Sequence, residues 1–116
     1  MNDTLANFLS SRLPIGGLAA YSIHLANRLL EAHCLSKSLY PTSAEEMLNR
    51  VVQGGQTLLP TGESSAQYCW TFEAHRVYVA ARADGACLAL LVENNPTTQL
   101  VRIQETLQGF LNLEQI

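Results

Sequence analysis

The run Ala86-Cys87-Leu88-Ala89-Leu90-Leu91-Val92 contains no charged side chain and follows Asp84-Gly85 directly. A strand apolar on both faces has to be covered on both, so this segment belongs in the middle of a sheet with a layer on each side. Asp-Gly between two strand-like runs predicts a two-residue hairpin turn, because these residue types tolerate the positive φ such a turn needs. In the preceding arm Val77, Val79 and Ala81 alternate, and Ala74-His75 connects it to a segment where Tyr68, Trp70 and Phe72 alternate with Cys69, Thr71 and Glu73. That alternation predicts a strand with two different faces. After Asn95-Pro96, Leu100, Ile103, Leu107, Phe110 and Leu111 repeat at helical spacing, with Thr97 or Thr98 as the expected cap. Residues 67–111 therefore read as two or three strands followed by a helix lying on the central one.

The first half constrains the fold less. Asn2 or Asp3 can cap a short helix carrying Leu5, Phe8 and Leu9, which ends near Leu13-Pro14 and is followed by a break at Gly16-Gly17. Residues 18–36 fit two patterns. As a helix, Leu18, Tyr21, Leu25, Leu29, Ala32 and Leu35 form a stripe. As a hairpin turning at Ala26-Asn27-Arg28, Tyr21, Ile23 and Leu25 alternate with Ser22 and His24, and Leu30, Ala32 and Cys34 share a face. Propensity alone leans slightly towards the helix. Further on, Thr42 and Ser43 with Glu45 and Glu46 offer overlapping capping boxes for a helix with Met47, Leu48, Val51, Val52 and Leu58 on its apolar side, running to about Leu59. Gly54-Gly55 inside it costs roughly 1 kcal/mol per residue against alanine. Either the helix ends or bends there, or another backbone approaches closely, as where two copies of the helix cross.

A chain of 116 residues supports one domain, residues 1–116, with a single core and little room for an enclosed active site. With 47% hydrophobic and only 15% charged residues, part of its surface should be covered by another chain. A net charge of -3 with seven scattered Lys and Arg residues argues against a nucleic-acid or anionic-membrane surface. There is no apolar run long enough to span a membrane and no signal-peptide pattern at Met1-Asn2-Asp3-Thr4, which makes the cytoplasm the expected location. Cys34, Cys69 and Cys87 are odd in number and read as buried reduced thiols.

The chemistry of the chain is sparse. Gly16-Gly17 and Gly54-Gly55 lack the spacing and the Lys-Ser/Thr of a nucleotide-binding loop, so the chain is not expected to bind GTP itself. His24, His33, Cys34, Cys69, His75 and Cys87 show no CxxC or HxxxH spacing, and surface histidines with core thiols are expected instead of a metal site. Cys34 or Cys69 beside Glu31 or Glu73 reflects strand alternation rather than an activated nucleophile. No catalytic residue, cofactor or metal is expected.

With residues 18–36 taken as a hairpin, the order becomes α-β-β-α-β-β-β-α, which resembles the Roadblock (dynein light chain) domain. The matching features span nearly the whole chain: Gly16-Gly17 before Leu18-Ala19-Ala20-Tyr21-Ser22-Ile23, the strand Arg28-Leu29-Leu30-Glu31-Ala32, the helix containing Val51-Val52-Gln53-Gly54-Gly55, and Asp84-Gly85 with the apolar run after it. The first turn departs from the family, which often has Asp-Gly where this chain has Ala26-Asn27. Among bacterial members the pattern is similar to MglB-like proteins. The resemblance implies an α/β fold of Roadblock/profilin type, a five-stranded antiparallel sheet with the mid-chain helix on one face and the terminal helices on the other. It also implies a homodimer built on that helix and the third strand. Carried onto this sequence, the contact would involve Met47, Arg50, Val51, Gly54, Leu58, Tyr68, Trp70 and Phe72. As function it implies a non-enzymatic adaptor or regulator of a Ras-like small GTPase, promoting hydrolysis by rearranging the GTPase's own machinery. The alternatives are a nucleotide-independent light-chain subunit of a larger assembly and, less favoured by the apolar interior, a small-molecule sensor.

Overall fold

The computed structural model describes residues 3–25, 28–58 and 66–113, with no side-chain description at position 3 or at 56–58. In chain order its elements are α1 (Asp3–Arg12), β1 (Leu18–Leu25), β2 (Arg28–Cys34), α2 (Pro41–Leu58), β3 (Ala66–Thr71), β4 (His75–Ala81), β5 (Ala86–Glu93) and α3 (Leu100–Leu111). The strands form one antiparallel sheet in the order β2-β1-β5-β4-β3. This is the three-helix, five-strand arrangement expected from the sequence. The apolar run is β5, the middle strand, buried from Ala86 to Val92. No helix among the described residues is long and apolar enough to cross a membrane.

Residues 18–36 form the hairpin rather than the helix. β1 is buried on both faces from Leu18 to His24, and its partner is β5, in pairs running from Leu18↔Val92 to Leu25↔Ala86. A strand covered on both sides loses the polar alternation that would distinguish it from a helix, so the decisive interaction is nearly seventy residues away. The Ala26-Asn27 turn and the Asn2 cap lie outside the described residues.

The two faces of the sheet carry separate cores. On one, Tyr21, Ile23, Leu88, Leu90 and Val92 pack with Leu5, Phe8 and Leu9 of α1 and Ile103, Leu107 and Phe110 of α3. On the other, Ala20, Val77, Val79, Cys87, Ala89 and Leu91 lie under Ala44, Leu48, Val51 and Val52 of α2.

Several local expectations are corrected. Asp84-Gly85 does not form a two-residue turn. The Arg82 N–H donates to Ala86 C=O (2.8 Å), leaving a three-residue loop in which Gly85 supplies the positive φ of 93° and the Asp84 carboxylate accepts from the Ala86 N–H. Helix α2 begins at Pro41, ahead of the Thr42 and Ser43 boxes, because proline's fixed φ suits the first helical position. The residue preceding α3 is Gln99, while Thr98 donates its hydroxyl to Glu93 C=O (2.7 Å).

Gly16-Gly17 is more than a break, since the β5–α3 connection docks on it. The Gly16 N–H donates to Gln99 Oε1 (2.7 Å), the Gln99 N–H to Gly16 C=O (2.9 Å) and the Glu93 N–H to Gly17 C=O (2.8 Å). At Gly17, with φ of 86°, a Cβ would run into the Thr98 side chain.

Candidate functional site at the β3 edge

The sheet ends in two strands of different character. β3 pairs with β4 in unbroken register from Ala66↔Ala81 to Thr71↔Arg76, and its sequence, Ala-Gln-Tyr-Cys-Trp-Thr, contains no charge. β2, at the other end, carries Arg28, Glu31 and His33, and its pairing with β1 is interrupted by a register shift at Ile23/His24. Charges and bulges are what proteins use to blunt a sheet edge, and β3 has neither.

Tyr68 and Trp70 of β3 stand on the same side of the sheet as α2, and Phe72, the residue after the strand, packs against the same core. Gly54 and Gly55 face them. A Cβ at Gly55 would lie 2.1 Å from Tyr68 Cζ, and one at Gly54 would lie 3.2 Å from Trp70 Cζ3. Within the chain, the close approach that the glycines allow is by two aromatic rings, and the helix continues through both glycines to Leu58. The Tyr68 hydroxyl donates to the carbonyls of Val51 and Val52 at 3.4 and 3.5 Å. Burial, with Cys87 nearby adding to it, pushes its pKa up to about 12.

The eight residues carried over from the resemblance fall into two groups. Met47, Arg50 and Gly54, spaced three and four apart, share the side of α2 next to Trp70, which is 41% exposed, and half-buried Phe72. Arg50 pairs with Glu46 one turn back at 2.8 Å, an exposed contact of little energetic weight. Val51 points the other way and is 1% exposed within the α2–sheet core, and Tyr68 is half-buried beneath the helix. The Leu58 side chain lies outside the described residues. On this side of α2 and the strand edge, Arg50 and Trp70 are exposed, while Met47, Gly54 and Phe72 are half-buried, Met47 and Phe72 packing against the core beneath.

The histidines and thiols sort differently from the sequence expectation. Cys87 is buried, Cys34 is intermediate and Cys69 is exposed on β3. His24 is fully buried, with its Nε2 2.8 Å from the buried Ser22 Oγ. A serine–histidine contact of this length is what an activated nucleophile uses, but both side chains are sealed and the other ring nitrogen, Nδ1, has no hydrogen-bond partner among the described residues. Its consequence is for stability. Burial lowers the His24 pKa from 6.5 to about 4, so the unfolded chain takes up a proton that the folded protein resists. The difference is worth about 3 kcal/mol, present above pH 6.5 and lost as the pH falls through that window. Urea unfolding at pH 7 and pH 4.5 should show a steeper loss for the native chain than for His24→Gln; equal slopes would count against it.

At the level of sequence, no protein-family model and no curated protein matches this chain. Among solved structures it is similar to the gliding protein MglB from Thermus thermophilus, with a TM-score of 0.62 and 13% identity over 92% of this chain and 82% of that one. A Roadblock/LC7 domain from Streptomyces avermitilis aligns with a TM-score of 0.49 and 18% identity over 93% of this chain and 92% of that one. Myxococcus xanthus MglB aligns with a TM-score of 0.47 and 9% identity over 81% and 80%. The chain has the Roadblock fold, in the form found in MglB.

Proposed function

We propose that this protein is a homodimer joined through β3 and the adjoining side of α2, and that the dimer is an adaptor or regulator of a Ras-like small GTPase without chemistry of its own. The observation that carries the dimer is the β3 edge: an uncharged strand in unbroken register, with Trp70 41% exposed beside Met47, Arg50 and Gly54. Left open in water, such an edge invites pairing with another chain. A second copy placing its own β3 alongside would extend the sheet and cover both tryptophans. The GTPase partner is supported by likeness to MglB in fold, so it rests on analogy and needs its own test.

That test is capture of Ras-like GTPases encoded near this protein's gene, each loaded with GTP or GDP. Binding that depends on the nucleotide is the expected outcome; if none of them binds in that way, the GTPase reading falls. Binding indifferent to nucleotide would point to a light-chain subunit. The sensor alternative gains nothing from the cavity between β2 and the start of α2, lined by Ala20, Ala32, Cys34, Ala44 and Leu48. Its volume of about 40 Å³ is far below the roughly 300 Å³ of a small ligand pocket.

A further inference from the structure

Which backbone groups the β3 edge leaves open follows from the hairpin that joins it to β4. The Phe72 N–H donates to His75 C=O at 2.8 Å, which makes these two residues a hydrogen-bonded pair of the antiparallel ladder. Such pairs alternate with non-bonded ones, and the register is unbroken. Trp70, Tyr68 and Ala66 therefore also direct their N–H and C=O groups at β4, to Val77, Val79 and Ala81. Gln67, Cys69 and Thr71, opposite Ala80, Tyr78 and Arg76, direct theirs outwards. These outward residues are all exposed, and none is charged. Beyond Thr71 the chain turns back through Glu73-Ala74, and the open row ends there.

That row restricts how a second copy can join. In a two-fold antiparallel pairing each outward residue has to face an outward residue of the copy, since only those carry free N–H and C=O groups. Near the middle of the strand the axis can therefore pass through Tyr68, Cys69 or Trp70, and not between them. With the axis at Tyr68, Thr71 has no partner within the strand; with the axis at Trp70, Gln67 faces Glu73 in the turn. With the axis at Cys69, Cys69 faces Cys69, Gln67 faces Thr71, and every outward backbone group of β3 is bonded. Backbone groups covered without a partner are costly, which favours this register over its neighbours.

The α2 side of the junction favours it too. The non-bonded pairs lie there, with Cα atoms about 4.5 Å apart, and this register sets Trp70 of each copy opposite Tyr68 of the other. Cross-strand aromatic pairs are among the stabilising ones. Tyr68 is held under α2 against Gly55, so the exposed part of Trp70 is what the second copy's Tyr68 covers. Resting on the dimer proposed above, we infer that the two β3 strands join with Cys69 on the two-fold axis, Gln67 against Thr71 and Trp70 against Tyr68 of the second copy.

Nuclear Overhauser contacts between α-hydrogens of the full chain read the register. Non-bonded partners have Cα atoms about 4.5 Å apart, whereas residues two apart on one strand are roughly 6.8 Å apart, so α-hydrogen contact between Tyr68 and Trp70 arises only across the junction. That contact is the expected result. Contact of Ala66 with Trp70, or of Tyr68 with Phe72, would put the axis at Tyr68 or Trp70 instead and overturn the assignment. Cys69→Lys gives a second reading, because its ammonium faces its own copy while that of Thr71→Lys faces Gln67. Cys69→Lys should raise the dimer dissociation constant about fivefold more than Thr71→Lys does, and about 1 M salt should remove most of the difference. Equal weakening by the two counts against the register. Sedimentation of the parent chain separates the two readings: a dimer without the Tyr68–Trp70 contact overturns the register alone, and a monomer overturns it together with the dimer.

Discussion

Trp70→Lys should convert the protein from a dimer to a monomer while leaving the fold of each chain intact. Trp70 is 41% exposed on an edge strand, so replacing it removes little of the chain's own core. In a two-fold interface the same substitution acts twice. A buried tryptophan anchor is worth about 2 kcal/mol or more, and two of them correspond to about three orders of magnitude in the dimer dissociation constant. A lysine ammonium on each edge adds repulsion of the kind that natural edge strands use to stay apart. Sedimentation velocity across a concentration series reads the result directly. A Trp70→Lys protein that remains as dimeric as the parent would show that the chains meet elsewhere.

Gly55→Ala makes the second strong prediction, and its sign depends on another residue. In most helices the change is stabilising by about 1 kcal/mol, because alanine has less backbone freedom to lose. Here the new methyl would sit 2.1 Å from Tyr68 Cζ and from its hydroxyl oxygen, far inside contact distance. The ring has to leave the groove, giving up its packing and its bonds to Val51 and Val52, and overpacking of this kind costs about 1–3 kcal/mol. The net effect expected is destabilisation. In a Tyr68→Ala background the obstacle is gone and the same substitution should stabilise. Thermal unfolding of the four proteins in the cycle measures both signs, and destabilisation of equal size in both backgrounds would mean that the ring does not fill the glycine notch.

The parts of this fold legible in the sequence are those where one face is buried and the other is not. The α3 stripe is of that kind, and the all-apolar Ala86–Val92 run is legible because it is too short for a helix and follows a turn. Residues 18–36 are ambiguous for a physical reason: β1 is covered on both sides, so its pattern no longer reports its period, and pairing with β5 is not a local property. The glycine pair in α2 announces a close approach without saying by what; an aromatic strand in the same chain and a second helix impose the same demand. Val51 shows the same limit within the candidate site. Its place in the apolar stripe is evident, but whether that stripe faces the chain's own sheet or a partner is decided by the sheet.

In the proposed dimer, the register shift between β1 and β2 would limit further growth of the sheet. A sheet with two joinable borders has no natural last member, and each added copy exposes the same border again, which is how fibres start. Here the ladder at the β2 border is irregular and flanked by Arg28, Glu31 and His33, so it offers a newcomer no continuous row of partners. Once two chains have joined through β3, both remaining borders are of the irregular kind. In the dimer proposed above, raising the concentration would then fill the population of pairs rather than lengthen the sheet.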